Sequence, residues 1–147
     1  MAGALGLLAG PLLAQRGHDL QAHALALVGG EAFVGGGVGA GVRLGLGTRL
    51  AGLVTGGRAE SGLAALRVEA LGTYHLRPPG RPRATLYGGA GLGLLATGNG
   101  TQGHVVVVVG LEAAPRSRGG WFIEAGVGGG ARLSLGYRLT RVRPRRP

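Results

Sequence analysis

Apolar and polar residues alternate with a period of two along most of this chain, most clearly in WFIEAGVGGGARLSLGYRL, residues 121–139. Counting from Trp121, every second residue is apolar or small, whereas the residues between them include Glu124, Arg132 and Arg138 among several glycines. This period is typical of a β-strand with two different faces. As one strand, residues 121–139 would be about 60 Å long, twice the thickness of a bilayer core, so we favour a turn at residues 128–130.

Six further segments between residues 21 and 112 alternate in the same way. Turn-forming composition predicts loops between several of them, at GGRAESG (56–62), RPPGRPR (77–83), TGNGTQG (97–103) and APRSRGG (114–120). Short alternating segments without helical crossovers predict an all-β fold, a small closed antiparallel up-and-down β-barrel of about eight strands and of the transmembrane type. Seven strands remain an alternative if residues 121–139 form a single strand.

The first hairpin is predicted from a change of phase. Leu25 and Leu27 place the larger apolar residues at odd positions, whereas from Val34 onward the apolar residues fall at even positions. A two-residue turn at Gly29 and Gly30 would produce this change, because it pairs residue 27 with residue 32. This interpretation places Leu25 and Leu27 on the same face as Val34.

The chain contains 34 glycines, and the face on which they alternate indicates which side of the strands points outward. An exposed glycine face would weaken the strands of a soluble sheet, whereas inside a narrow eight-stranded barrel glycines leave room for long side chains. The charged residues on the glycine face are predicted to form a paired interior network that plugs the lumen, since isolated buried charges are costly. They are Arg43, Arg67, Glu69, Glu112, Glu124, Arg132 and Arg138. The predicted lipid-facing or interfacial residues are Val38, Val42, Leu92, Val107, Trp121, Leu133, Leu135 and Tyr137.

The ending Gly-Tyr-Arg-Leu, residues 136–139, resembles the terminal strand of small bacterial outer-membrane β-barrel proteins, the class of the OmpA membrane domain and OmpX. As a pattern, the resemblance covers residues 20 to 140. It implies location in the outer membrane of a Gram-negative bacterium and recognition by the outer-membrane assembly machinery. The chain departs from the family at Leu139, where an aromatic residue is common, and in the following TRVRPRRP.

We divide the chain into a signal peptide (1–14), a barrel domain (15–140) and a basic tail (141–147). The apolar run at the N-terminus resembles the core of a secretory signal but lacks the positive segment before it, so whether this start is complete stays open. All 16 basic residues are arginine, and the net charge is +10. Membrane lipids and lipopolysaccharide are therefore the expected partners. The tail lacks interleaved aromatic residues, so we expect no nucleic-acid binding.

No catalytic, cofactor or metal motif is recognised. The four histidines lack metal-ligand spacing, and the absence of cysteine excludes disulfides. We expect a structural, anchoring or surface-binding protein rather than an enzyme, with binding carried by loops 56–62 and 97–103 and with no cofactor or identified small-molecule substrate. Two alternatives stay open. One is a soluble, lipocalin-like barrel with an interior apolar ligand, and the other is a membrane-embedded hydrolase that uses His75 or His104 with Ser134. Ligand identity, oligomeric state and loop orientation are left open.

Overall fold

A computed structural model shows a closed β-barrel and describes residues 17–44, 47–76, 83–113 and 118–142. Its strands are β1 (Gly17–Val28), β2 (Phe33–Arg43), β3 (Thr48–Ala59), β4 (Ala64–His75), β5 (Ala84–Thr97), β6 (Gly100–Ala113), β7 (Gly119–Val127) and β8 (Ala131–Val142). Each strand pairs antiparallel with its neighbour in sequence, and β8 pairs with β1 to close the barrel. The predicted eight-stranded, up-and-down antiparallel barrel is confirmed. Within the described ranges, no helix is long and apolar enough to cross a membrane.

Residues 121–139 form a hairpin and not one long strand. Val127 pairs with Ala131 around the turn at residues 128–130. Gly129 and Gly130 adopt positive φ angles of 82° and 154° there, a conformation that favours glycine. A strand of 12 residues such as β8 covers about 30 Å along the barrel axis at a tilt of about 40°, which matches the hydrocarbon core of a bilayer.

The predicted first hairpin is wrong in its turn and in the phase of β1. Leu27 pairs with Phe33, so the connection comprises residues 29–32 and no change of phase occurs. Leu25 and Leu27 lie inside the barrel with 1% and 3% exposure, opposite to Val34 on the outer wall. The prediction failed because it assumed that the larger apolar residues of every strand face lipid. Gly29 and Gly30 still lie within this four-residue connection, with φ angles of 79° and 66°.

Part of the barrel interior is apolar. Near the end where β1 turns into β2, one apolar cluster lies in the lumen: Leu25, Leu27, Phe33, Ala59, Ala65 and Leu95. A second cluster lies further along the lumen and comprises Ala51, Leu53, Leu71, Val106 and Val108. The interior therefore combines apolar packing with the charged side chains described below.

The two ends of the barrel differ in their connections. The turn end carries the connections 29–32, 60–63, 98–99 and 128–130, whereas the terminal end carries the start of β1, the end of β8 and the other three connections. The loops predicted at 56–62 and 97–103 are mostly strand, with turns of only four and two residues. The prediction used glycine as a sign of a loop, but in this chain glycine is also common within the strands.

Other predicted segments fall partly or wholly outside the described residues. These are the signal peptide at 1–14, most of the loop at 77–83, residues 114–117 of the next loop and residues 143–147 of the tail. Arg141 and Val142 belong to β8, and Gly119 begins β7. The proposed domain division remains a prediction.

Close contact between neighbouring strands explains why some interior positions are glycine. A Cβ atom at Gly91 of β5 would overlap the carbonyl oxygen of Ala70 on β4 and lie 2.9 Å from the Cα of Leu71. At Gly103 on the outer wall, the nearest atom is 3.6 Å away, an ordinary contact distance. A side chain is therefore excluded at Gly91 and tolerated at Gly103.

We expect Gly91→Ala to lower the free energy of unfolding by about 1–3 kcal/mol, because strands β4 and β5 must move apart. Gly103→Ala is the matched control and should leave stability unchanged within about 0.5 kcal/mol or raise it slightly. Urea titration of the two refolded variants measures both values. Equal effects of the two substitutions would contradict the proposed close contact.

Candidate functional site: the charged barrel interior

All seven residues predicted for the interior network lie on the lumen side of the barrel wall. Six are buried, and the exposure of the three buried arginines runs from 0% at Arg67 to 2% at Arg132. The side chain of Arg43 is 22% exposed, because it lies near the terminal end of β2. The structure arranges these residues into two connected groups of ion pairs.

The group nearer the terminal end is centred on Glu112. Its carboxylate accepts hydrogen bonds from Arg43 Nη2 and Arg138 Nη1, each at 2.6 Å. Its Oε2 atom also lies 2.9 Å from His75 Nε2, and the His75 ring stacks on Tyr87 at 4.7 Å between centroids. Four strands are thus joined across the lumen through one carboxylate, on β2, β4, β6 and β8.

The group nearer the turn end connects Glu69 and Glu124 through Arg132. Arg132 donates to Glu124 Oε2 at 2.8 Å and to Glu69 Oε2 at 3.1 Å. Arg67 donates to Glu69 Oε1 at 2.8 Å and to the carbonyl oxygen of Gly128 at 2.9 Å. This last bond ties the network to the β7–β8 turn.

A further ion pair, between Arg49 and Asp19, was not predicted. Arg49 Nε donates to Asp19 Oδ2 at 2.9 Å, and Arg49 Nη2 donates to Gln21 Oε1 at 2.8 Å. Asp19 is only 2% exposed. Sequence reasoning missed it because the wrong phase of β1 placed odd residues on the lipid face. The polar series Asp19, Gln21 and His23 was the signal that odd positions of β1 point into the lumen.

Arginines slightly outnumber carboxylates among the described interior residues. The interior cations are five arginines, at positions Arg43, Arg49, Arg67, Arg132 and Arg138. The interior anions are four carboxylates, at Asp19, Glu69, Glu112 and Glu124. Aromatic rings supply further contacts for the arginines. Arg138 lies 4.6 Å from the ring centroid of Phe122 and 5.7 Å from that of Tyr87, an arrangement that favours a cation. Tyr87 also donates its hydroxyl to Glu124 at 2.8 Å.

The structure does not bring the candidate hydrolase residues together. The Ser134 hydroxyl and His104 Nε2 are both buried without a hydrogen-bond partner, so no hydrogen bond joins them, and His75 pairs with Glu112. Among the described residues, no group of three or more acidic or histidine side chains could hold a metal ion. The interior carboxylates are instead bound to arginines.

The predicted lipid-facing residues lie on the outer wall. Exposure reaches 65% for Val38 and 67% for Leu92, and Val42 is half-buried. Trp121 and Tyr137 meet edge to face at 5.2 Å between ring centroids, near the terminal end. Tyr74 is also exposed near that end. Such rings favour the boundary between membrane and water.

Comparisons with known proteins agree with this architecture. No family model and no curated protein matches the chain. Among solved structures, the N-terminal β-barrel domain of Pseudomonas aeruginosa OprF has a TM-score of 0.68 at 18% identity, covering 86% of this chain and 98% of that one. The chain has the fold of the small outer-membrane β-barrels.

Two further solved structures are similar to this barrel. Neisserial surface protein A has a TM-score of 0.57 at 15% identity, with coverage of 85% of this chain and 95% of that one. The de novo designed TMB2.3 has a TM-score of 0.57 at 17% identity, with coverage of 88% and 97%. At these identities the likeness concerns the fold, so the barrel's function has to be argued from its own residues.

We expect Arg138→Met to lower the free energy of unfolding by about 3 kcal/mol, because it leaves the buried carboxylate of Glu112 with fewer cationic partners. Arg118→Met removes an exposed arginine and should change stability by less than about 0.5 kcal/mol. Denaturant titration of both refolded barrels provides the comparison. Equal stability of Arg138→Met and wild type would contradict a structural role for the network.

Proposed function

We propose that this protein is a barrel of the bacterial outer membrane with an anchoring or surface-binding role and a lumen closed to bulk ions. The observation that carries the proposal is the inverted distribution of polarity. Paired charges lie inside, whereas large apolar side chains such as Leu92, Val105 and Leu135 are at least half exposed outside. Both features are expected of a barrel whose outer wall is surrounded by the hydrocarbon core of a membrane.

The outer wall lacks charge over the depth of a bilayer core. Among the outward positions of the eight described strands, Arg58 and Arg141 alone carry a permanent charge, and each is close to the end of its strand. A continuous apolar surface of this extent is unusual on a soluble monomer. This distribution supports a membrane-spanning barrel over the soluble alternative.

The filled interior argues against a lipocalin-like pocket and against an open pore. The apolar cluster around Phe33 lies towards the turn end of the lumen, where the ion pairs of Arg132 also cross it, and the ion pairs of Arg138 cross it nearer the terminal end. Eight-stranded barrels have interiors just wide enough for side chains to fill. We therefore propose that the lumen neither holds an apolar ligand nor conducts ions freely.

A non-enzymatic role is proposed because the interior acids already serve as partners for arginines. Any surface binding would involve the short turns of the turn end, where Glu31, Glu60 and Asn99 lie. Export through a signal at residues 1–14, insertion by the assembly machinery and contact with membrane lipids belong to the same proposal. No cofactor is needed for an anchoring role.

Val107→Arg tests lipid contact, because Val107 is 49% exposed near the middle of β6. We expect a loss of about 2–4 kcal/mol in the free energy of unfolding from lipid vesicles. Thr101→Arg is the matched control near the end of the same strand, with an expected cost of about 0–1 kcal/mol. Similar stability of the Val107→Arg variant and wild type would refute lipid exposure at mid-depth.

Conductance in planar bilayers tests the closed lumen. The refolded protein should insert without producing a steady ion current, since paired side chains occupy the barrel interior. A porin reconstituted under the same conditions is the positive control. A steady current through the wild-type protein would show that water and ions pass the ion pairs, and the proposal of a plugged barrel would fail.

A further inference from the structure

One sector of the outer wall, formed by β8 and by β1 to β4, contains a groove of about 990 Å³. Strand register explains its shape. Ala40, Gly52 and Ala70 are direct neighbours across β2, β3 and β4. The same cross-strand row continues to Leu20 on one side and Leu92 on the other. Three small residues between two leucines produce a depression in the wall.

The floor of the groove is open space rather than a packed contact. A Cβ atom added at Gly52 would meet nothing within 4 Å. Val42 and Leu50 border the floor on the terminal side, where Gly72 extends it across β4. The floor is three strands wide, about 10 Å between its outer strands. This width suits the chains of a diacyl lipid better than the more numerous chains of a lipopolysaccharide.

The terminal end of the groove is cationic. His18 and Arg141 both line it and are direct neighbours across β1 and β8. Asp19 also borders the groove, but its side chain points into the lumen and is paired with Arg49. The outward positions of the described strands carry no carboxylate. An anion at this end would therefore meet positive charge without a competing acid on the wall.

The two ends of the barrel also differ in exposed charge. Among the described residues, Arg83, Arg118 and Arg141 are exposed at the terminal end, and no carboxylate is exposed there. In the described part of the chain, the turn end carries the exposed Glu60 and the half-buried Glu31, with only the exposed Arg58 opposing them. A negatively charged membrane surface is therefore favoured at the terminal end.

We propose that this groove binds one anionic diacyl phospholipid. Its acyl chains would lie over Gly52 and its small neighbours, and its phosphate would lie beside Arg141 and His18. The inference rests on the proposed membrane location. It adds a specific lipid class and a specific sector of the wall to the general lipid contact of the barrel.

The test uses the full chain refolded into phosphatidylcholine vesicles that contain a minor fraction of phosphatidylglycerol. Native mass spectrometry then counts the lipids that stay bound after release from the vesicles. Gly52→Leu fills the groove, and Gly56→Leu is its matched control, since Gly56 is also exposed on β3 with nothing within 4 Å of an added Cβ. Arg141→Gln and Arg118→Gln form a second matched pair. Altered gel mobility of unheated samples confirms that each variant is folded.

We expect the wild type to retain one phosphatidylglycerol molecule in preference to phosphatidylcholine. Gly52→Leu should lose this retention, whereas Gly56→Leu should keep it. Removing the charge in Arg141→Gln should reduce the preference for the anionic lipid about fivefold, and Arg118→Gln should leave it unchanged.

Several results would overturn the proposal. These are equal retention of the two lipids by the wild type, equal behaviour of Gly52→Leu and Gly56→Leu, or stronger retention of added lipid A than of phosphatidylglycerol. A dimer that Gly52→Leu abolishes would assign the groove to a second copy of the chain. If the wild type does not insert into vesicles at all, the membrane location fails as well. Insertion without lipid preference removes only the groove proposal.

Discussion

The fold of this barrel depends on the pairing of arginines with carboxylates inside a narrow lumen. Each buried charge would be very costly alone, and the cost is offset only where a partner and further hydrogen bonds are supplied. Glu112 shows how this is achieved, with two guanidinium groups and one imidazole around a single carboxylate. Because its partners come from different strands, the ion pairs also fix which strands face each other across the lumen.

This pairing constrains the remaining positions. Long arginine side chains need space inside an eight-stranded barrel, and Gly41 provides it, because an added Cβ there would lie 2.7 Å from the Arg49 guanidinium. At other interior glycines, such as Gly91, the backbone of the neighbouring strand excludes a side chain. The outer positions then supply most of the large apolar residues, apart from the two interior clusters. The same alternation that builds the strands therefore separates a charged interior from an apolar wall.

Period-two alternation was enough to predict the barrel, the hairpin at 128–130 and the interior position of residues such as Glu69 and Arg132. It failed for β1, where both faces contain leucine and residue size gave the wrong phase. Asp19, and with it the ion pair to Arg49, was missed for that reason. Individual partners, such as Tyr87 for Glu124, could not be predicted because they depend on distances across the lumen between strands far apart in sequence.

Whether the apolar wall faces lipid can be tested through the membrane depth of Trp121, the only tryptophan in the chain. Trp121 is 61% exposed on the outer wall and lies near the terminal end of β7. The measurement is quenching of its fluorescence by lipids brominated at different depths, after refolding into vesicles. Strong quenching by bromines near the headgroups, weaker quenching by bromines at the bilayer centre and little quenching by aqueous acrylamide are expected. Strong acrylamide quenching without any effect of the brominated lipids would contradict the account.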